Sequence, residues 1–297
     1  MREIVVPTNE TAKKLGNFLK REFPIGYVRK AFRKNSVRIN GRRAKAEDLV
    51  KSGDRVQLYL PFEAKKNLAT VVPKATTLEV VFEDEALLVI NKPAGLAVHE
   101  GKTVSKRESL LGILERRYRE SAVQPRLVHR LDKDTTGLLI VAKNPQIAED
   151  LTNTFESGDV GKEYLCMIVG RLPWNEGKID FPLPGREGNP VRALTQYRVI
   201  RRFSETTLVR VTIGTGRLHQ IRLHFAQLGY PVVMDDQHGD FGFNKRFRKE
   251  YGLKRQFLHA ASLKLKYAGK LREWSAPVPK DLQQSLAKLQ SSQPGND

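Results

Sequence analysis

The sequence predicts an α+β chain in two units, a small basic one followed by a larger one. Three observations carry this. Residues 1–66 hold 17 Lys and Arg against 7 Asp and Glu, over half of the net +19 in under a quarter of the chain. Residues 63–76 show no buried periodicity. Beyond them, apolar runs that read as buried strands alternate with helical stripes and polar loops. The length of 297 residues, 40% of them hydrophobic, suffices for one large core and one small one. The expected layout is a domain at 1–62, a linker at 63–76, a second domain at 77–290 and a disordered polar tail at 291–297.

In the first unit, Asn9 or Thr8 is expected to cap a helix carrying Leu15, Phe18 and Leu19 and ending near Pro24. A second helix buries Val28 and Phe32 and turns Arg29, Lys30, Arg33 and Lys34 outward. The segment from Val37 to Arg43 alternates and contains Asn40-Gly41, a hairpin signal that carries Arg38, Arg42 and Arg43. A short strand, Val56 to Leu60, follows Gly53-Asp54. One basic helix face is usually a solvated surface. Two helices and a hairpin that concentrate charge in one module favour phosphate contacts instead.

In the second unit, Glu79 to Glu83 and Leu87 to Lys92 read as strands, and Pro93-Ala94-Gly95 as a turn. Leu110 to Tyr118 reads as a helix. Asn144-Pro145 starts another that runs to about Phe155. Lys162 to Gly170 and Thr207 to Ile213 are further strands. Leu218, Ile221, Phe225 and Leu228 give an inward stripe on a helix from about Arg217 to Leu228. Residues 237–256 form a second basic segment. Lys245, Arg246 and Arg248 interleave there with Phe241, Phe243 and Phe247. That pattern suits nucleic-acid contact, and equally a loop packed by its own aromatics.

The stretch from Val128 to Lys143 organises this unit. Leu138 to Ala142 has the character of a strand buried on both faces. Just before it, His129, Arg130, Asp132, Lys133 and Asp134 crowd five ionisable groups into six positions. A polar loop on a rigid strand is where chemistry usually sits. The bland alternative is a turn with a local Arg130–Asp132 ion pair. Arg222, on the flank of the helical stripe, should point partly inward. A buried guanidinium needs a carboxylate, and Asp132 is the expected partner. Arg217 and His219 lie nearer the helix start, where a phosphate could bind.

Composition narrows the partners. A surplus of +19 with a pI near 10.0 calls for a polyanion, and nucleic acid fits best. No apolar run reaches transmembrane length, no basic helix shows a clean apolar face, and the N-terminus is too polar for a signal peptide. The single cysteine, Cys166, excludes an internal disulfide, and no metal-ligand spacing appears. A cytoplasmic monomer without metal or cofactor is expected.

Two resemblances sharpen this reading. The segment from Leu15 to Leu60 resembles the S4 RNA-binding domain, through Asn17-Phe18-Leu19, Val37 to Gly41 and Lys51-Ser52-Gly53-Asp54. It implies binding of structured RNA. The second unit resembles the RluA-type pseudouridine synthases. His129-Arg130-Leu131-Asp132 with Thr135-Thr136-Gly137, Lys162-Glu163-Tyr164 with Val169-Gly170, and Thr215 to Arg222 stand in that family's order. Asn91 to Gly95 and Leu258-His259-Ala260 flank them. Met234 to Gly239 and the basic segment after it are most similar to the C branch of large-subunit ribosomal RNA synthases.

The resemblance implies a mixed, largely antiparallel β-sheet flanked by helices with a central cleft. It also implies isomerisation of uridine to pseudouridine, which is redox-neutral and needs no cofactor. Asp132 would be the catalytic carboxylate, paired with Arg222. Tyr164 would stack on the base and transfer a proton. Arg130 would hold the flipped nucleotide or fill the space it leaves, and Leu258 would be an apolar wall. The expected partner is 23S ribosomal RNA or an assembling large subunit. Two other readings compete: the same chemistry on transfer RNA, and a non-catalytic RNA-binding ribosome-assembly protein.

Overall fold

In the computed structural model, residues 2–7, 12–23, 28, 31–59, 78–101, 104–185 and 189–292 are described. They fall in two units, Met1–Lys74 and Ala75–Asp297. The expected linker at 63–76 lies outside the described residues, as do 293–297 of the tail. The final helix, Lys280–Ser291, runs through to the start of that tail.

The first unit has a four-stranded antiparallel sheet in the order Arg2–Val5, Arg55–Leu58, Val37–Ile39, Arg42–Arg43. Asn40 and Gly41 take positive φ of 49° and 82°, the tight hairpin turn that Asn-Gly favours. The Asn40 side chain also donates to Asp54 and accepts from the Arg55 amide, which fixes the turn against the next strand. Helix Leu15–Glu22 buries Leu15, Phe18 and Leu19. Its cap position is Lys14, at the end of the short strand Lys13–Lys14; Thr8 and Asn9, the expected caps, lie outside the described residues. Of the second helix, Val28 and Ala31 are buried, Phe32 is half-buried and Arg33 and Lys34 are exposed. Arg29 and Lys30 lie outside the described residues. The last strand ends at Leu58 rather than Leu60.

The second unit is a ten-stranded mixed sheet. Its main path runs Glu176–Ile179, Thr195–Arg202, Thr206–Ile213, Gly161–Val169, Leu258–Tyr267, Thr136–Ala142, Leu87–Lys92, Glu79–Glu83. Every pairing on it is antiparallel except that of Thr136–Ala142 with Leu258–Tyr267. All seven residues of Thr136–Ala142 are buried. Leu139 and Val141 face one core, and Leu138 and Ile140 face another, as expected of a strand covered on both sides. Helices Leu110–Arg117 and Gln220–Gln227 contribute to the first core, and Pro145–Ser157 to the second. The Asn144 side chain accepts from the Ile147 amide and caps the latter helix.

Several elements of this unit differ from expectation. Residues 237–256 are not a loop: Phe241–Tyr251 is a helix with Phe243 and Phe247 in a core and the cations outside. Phe243 and Phe247 are therefore spent on packing. Helix Lys280–Ser291 and strand Thr195–Arg202 were not foreseen, though Leu282, Leu286 and Leu289 sit at helical spacing. The helix expected from Arg217 begins at Gln220, so Leu218 is exposed rather than part of the stripe. No helix among the described residues is long and apolar enough to cross a membrane.

The parallel pair at the centre places the ends of two strands side by side. Only Thr136↔His259 and Gly137↔Ala260 are in register there. Gly137 has φ of 111°, and a Cβ on it would overlap the Ala260 carbonyl. Gly137→Ala should therefore destabilise the protein by about 3 kcal/mol, lowering its melting temperature by roughly 10 °C. Calorimetry of the variant checks this.

Candidate active site

The chain enters the parallel pair through residues 131–135, and each step of that loop is fixed from outside. Lys92 is fully buried, and its ammonium donates to the carbonyls of Pro93, Leu96 and Lys133 at 2.9–3.0 Å. Burial pushes its pKa down to about 7 against the pull of Asp134 and Asp132. Arg255 donates to the Asp134 carbonyl, and the Gln256 amide to the Thr135 hydroxyl. His259 gives Nε2–H to the Ala276 carbonyl, so its Nδ1 accepts from the Thr136 hydroxyl. Four consecutive residues, Lys133 to Thr136, are thus pinned by four separate side chains. Asp132 is held at the tip they define, and such support keeps a reacting group in place.

Asp132 meets Arg222 across ninety positions of sequence, with Nη1 to Oδ2 at 3.0 Å. The expected pair therefore forms, and the local Arg130–Asp132 pair is displaced by it. Arg222 has a second, stronger partner that the sequence did not suggest. Its Nε and Nη2 donate to the two oxygens of Asp235 at 2.6 and 2.7 Å. Both residues are buried, and bidentate geometry makes this the strong form of the ion pair. Burial alone would raise the Asp235 pKa. The Arg222 fork and the amides of His238 and Gln237 outweigh it and leave the group below its ordinary value. Burial works against the Arg222 charge too, but Asp235 and Asp132 raise its pKa overall.

A cavity of about 630 Å³ opens on the Asp132 side of this array. Asp132, Tyr164, Arg222, Leu258, Arg130, Arg217 and His219 all line it. Tyr164 sits at a β-bulge, where the pairing of Gly161–Val169 with Leu258–Tyr267 shifts register. Bulges re-aim side chains beside sites. Burial, then the Asp132 charge, raise the phenol's pKa, so it stays protonated at neutral pH. Leu258 is buried at the start of the parallel strand. Arg130 is exposed at the rim. Arg217 is exposed in the turn before the helix, and its Nε donates to the Arg192 carbonyl. His219 is the helix's cap residue, in a left-handed conformation with φ of 53°. Its Nε2 lies 3.7 Å from Asp132, and its Nδ1 lies 3.1 Å from His238. Burial is the largest influence on His219 and depresses its pKa.

Two lining residues had no expected role. Lys162 is buried on the same strand face as Tyr164, with its ammonium 5.4 Å above the Phe155 ring. Burial lowers its pKa. His129 stacks on the other component of that cluster, Phe155, at 4.4 Å, and its Nε2 accepts from the Ile140 amide. His129 is thus a neutral splint for the central strand. His224 is buried and bonded to Thr195 and the Phe181 carbonyl. Among the described residues no cluster of His, Cys, Asp or Glu could hold a metal ion.

The model of the RNA pseudouridylate synthase family matches residues 86–227, a span that includes Asp132, Tyr164 and Arg222. Ribosomal large subunit pseudouridine synthase C of Vibrio cholerae is 33% identical, over 97% of each chain. The Escherichia coli K12 protein of that name is 32% identical over the same shares. The chain belongs to the RNA pseudouridylate synthase family. Among solved structures, Human RNA Pseudouridylate Synthase Domain Containing 4 superposes with a TM-score of 0.61 at 26% identity. It covers 71% of this chain and 93% of its own. A second human pseudouridylate synthase, Domain Containing 1, gives 0.54 at 24% identity and covers 75% and 98%, a likeness of fold. The mixed sheet with flanking helices is the fold this pseudouridine synthase shares with them.

The His129 environment predicts a pH effect. Burial, then the Lys162 charge, push its pKa down to about 3 from an ordinary 6.5. The unfolded chain binds this proton first, so the stability from neutral His129 is present above 6.5 and lost as pH falls toward 3. The wild type should lose about 1.4 kcal/mol per pH unit there relative to His129→Gln. Denaturant titrations of both proteins across that window test it; parallel pH dependences would contradict it.

Proposed function

We propose that this enzyme isomerises specific uridines to pseudouridine in large-subunit ribosomal RNA. The observation that carries the chemistry is Asp132, held by Arg222 in the cavity that Tyr164 and Leu258 also line. The printed names of the relatives support the ribosomal target. The reaction breaks N1–C1′, turns the uracil and joins C5 to C1′. Asp132 serves as the carboxylate, by covalent attack or by stabilising positive charge on the sugar. The guanidinium of Arg222, 3.0 Å from its Oδ2, orients the carboxylate for either route.

Tyr164 stacks on the base and transfers a proton from its place in the cavity beside Asp132. Leu258 closes the apolar side of the base pocket. The base must leave its stack to arrive, and Arg130 at the rim holds the flipped nucleotide or fills its place. Arg217, exposed at the cavity's edge, meets phosphate, and His219 beside Asp132 contacts the nucleotide.

The first unit is an S4-type module that docks structured RNA. Exposed Arg33, Lys34, Arg42 and Arg43 support this, as does Arg38 laid over the Tyr59 ring at 4.6 Å. Arg29 and Lys30 add two cations to the same stretch of sequence. Lys245, Arg246 and Arg248 form a second RNA-contacting set on the catalytic unit. The enzyme works as a cytoplasmic monomer, without metal or cofactor, on 23S RNA or an assembling subunit.

Asp132→Asn should lower isomerisation at least about 10³-fold with RNA affinity retained. Tritium release from C5-labelled uridine in ribosomal RNA measures this, and a near wild-type rate would remove Asp132 from the chemistry. Pseudouridine mapping in a deletion strain should show sites missing from 23S RNA. Sites missing from transfer RNA instead would contradict the target.

A further inference from the structure

A second cavity, of about 280 Å³, lies behind the ion-pair array. Asp132 and Arg222 line the first cavity, whereas Asp235, bonded to Arg222, lines the second. The array is therefore a shared wall. The opposite wall is one stripe of helix Phe241–Tyr251. Phe241, Asn244, Lys245 and Arg248 stand at i, i+3, i+4 and i+7 and all face the cavity. Phe243 and Phe247 take the core face. Lys254 completes the rim.

These residues divide into structural and unengaged groups. Asn244 is buried and clamps the Asp235 turn, accepting from the Met234 amide and donating to the Asp235 carbonyl. Arg255 forks onto Asp281. Arg246, on another face of the helix, pairs with Glu205. By contrast Lys245, Arg248 and Lys254 are exposed and have no ion-pair partner among the described residues. The Phe241 ring is 63% exposed at the mouth. An exposed aromatic beside three unpaired cations is the arrangement that binds single-stranded nucleic acid, with a base on the ring and phosphates on the cations. Asp134 and the exposed Asp236, which also accepts from Arg222 at 3.4 Å, line the cavity as acceptors for the N–H donors of a base edge rather than for phosphate.

We propose that this second cavity receives another, unpaired nucleotide of the substrate RNA. Its base stacks on Phe241, and its flanking phosphates lie on Lys245, Arg248 and Lys254. The proposal rests on the reading of RNA as substrate, and it makes single-strandedness beside the target uridine a condition of recognition. The site is also wired to the chemistry. Asn244 holds the turn that carries Asp235, while Arg255 and Gln256 on the same wall hold Asp134 and Thr135 of the catalytic loop.

The test uses the full-length chain and two sets of exposed substitutions, Phe241→Ala and the triple Lys245→Gln, Arg248→Gln, Lys254→Gln. Fluorescence anisotropy with a labelled single-stranded oligouridine gives Kd against salt. Tritium release from a ribosomal RNA transcript gives kcat and KM. Phe241→Ala should weaken binding about tenfold, with Phe241→Trp restoring it, and the loss should fall on KM rather than kcat. The triple variant should flatten the slope of log K against log salt by about 2. Wild-type affinity and slope in both sets would overturn the cavity assignment, whatever the activity. Weakened binding in an enzyme that isomerises no RNA uridine would uphold it and overturn the function proposed above.

Discussion

The site depends on one guanidinium placed between two carboxylates. Arg222 gives two parallel bonds to Asp235, one to Asp132 and a longer one, at 3.4 Å, to the exposed Asp236. The Asp235 end is buried and further bonded to two backbone amides, so it acts as the anchor. The Asp132 end borders the cavity and is the part a substrate meets. A buried charge pair broken on one side typically costs 3–5 kcal/mol, which holds the anchor closed. The remaining N–H of the fork is then aimed by geometry alone, and aiming is what a reacting carboxylate requires.

The fold supplies the other half of that aim. A largely antiparallel sheet contains a single parallel pairing among the described residues, and the loop bearing Asp132 feeds one of its strands. The partner strand begins at Leu258, so the apolar wall starts at the same end as the loop. Next to it, the strand Gly161–Val169 brings Tyr164 opposite Ala260. Three strands thus deliver the carboxylate, the phenol and the apolar wall to one place. The pins from Lys92, Arg255, Gln256 and His259 then remove the freedom that a polar loop would otherwise keep.

Much of this was legible in the sequence where local physics decides structure. Leu87–Lys92 and Glu79–Glu83 have the expected bounds, because apolar density and the flanking turns leave little choice. Helix Pro145–Ser157 starts at its Asn-Pro signal. The pairing of Asp132 with Arg222 followed from the cost of an unpaired inward guanidinium. Asp235 was not legible as the main partner, since it sits in a turn with no periodicity to orient it. Helix Phe241–Tyr251 was obscured because its aromatics serve two faces, Phe243 and Phe247 inward and Phe241 toward the second cavity. Nothing local reveals that His219 adopts positive φ and delays the helix to Gln220. His129 looked like chemistry because of its neighbours, whereas stacking and an Ile140 bond make it structural.

The central claim is that Arg222 must serve both carboxylates at once, and Arg222→Lys tests it most directly. A lysine keeps the charge but is a point donor without the fork, so it can hold Asp235 or orient Asp132 but not both. Single-turnover rates of uridine isomerisation should fall about 10²-fold or more, while RNA affinity stays near that of the wild type. A lysine variant that isomerises at the wild-type rate would contradict the account.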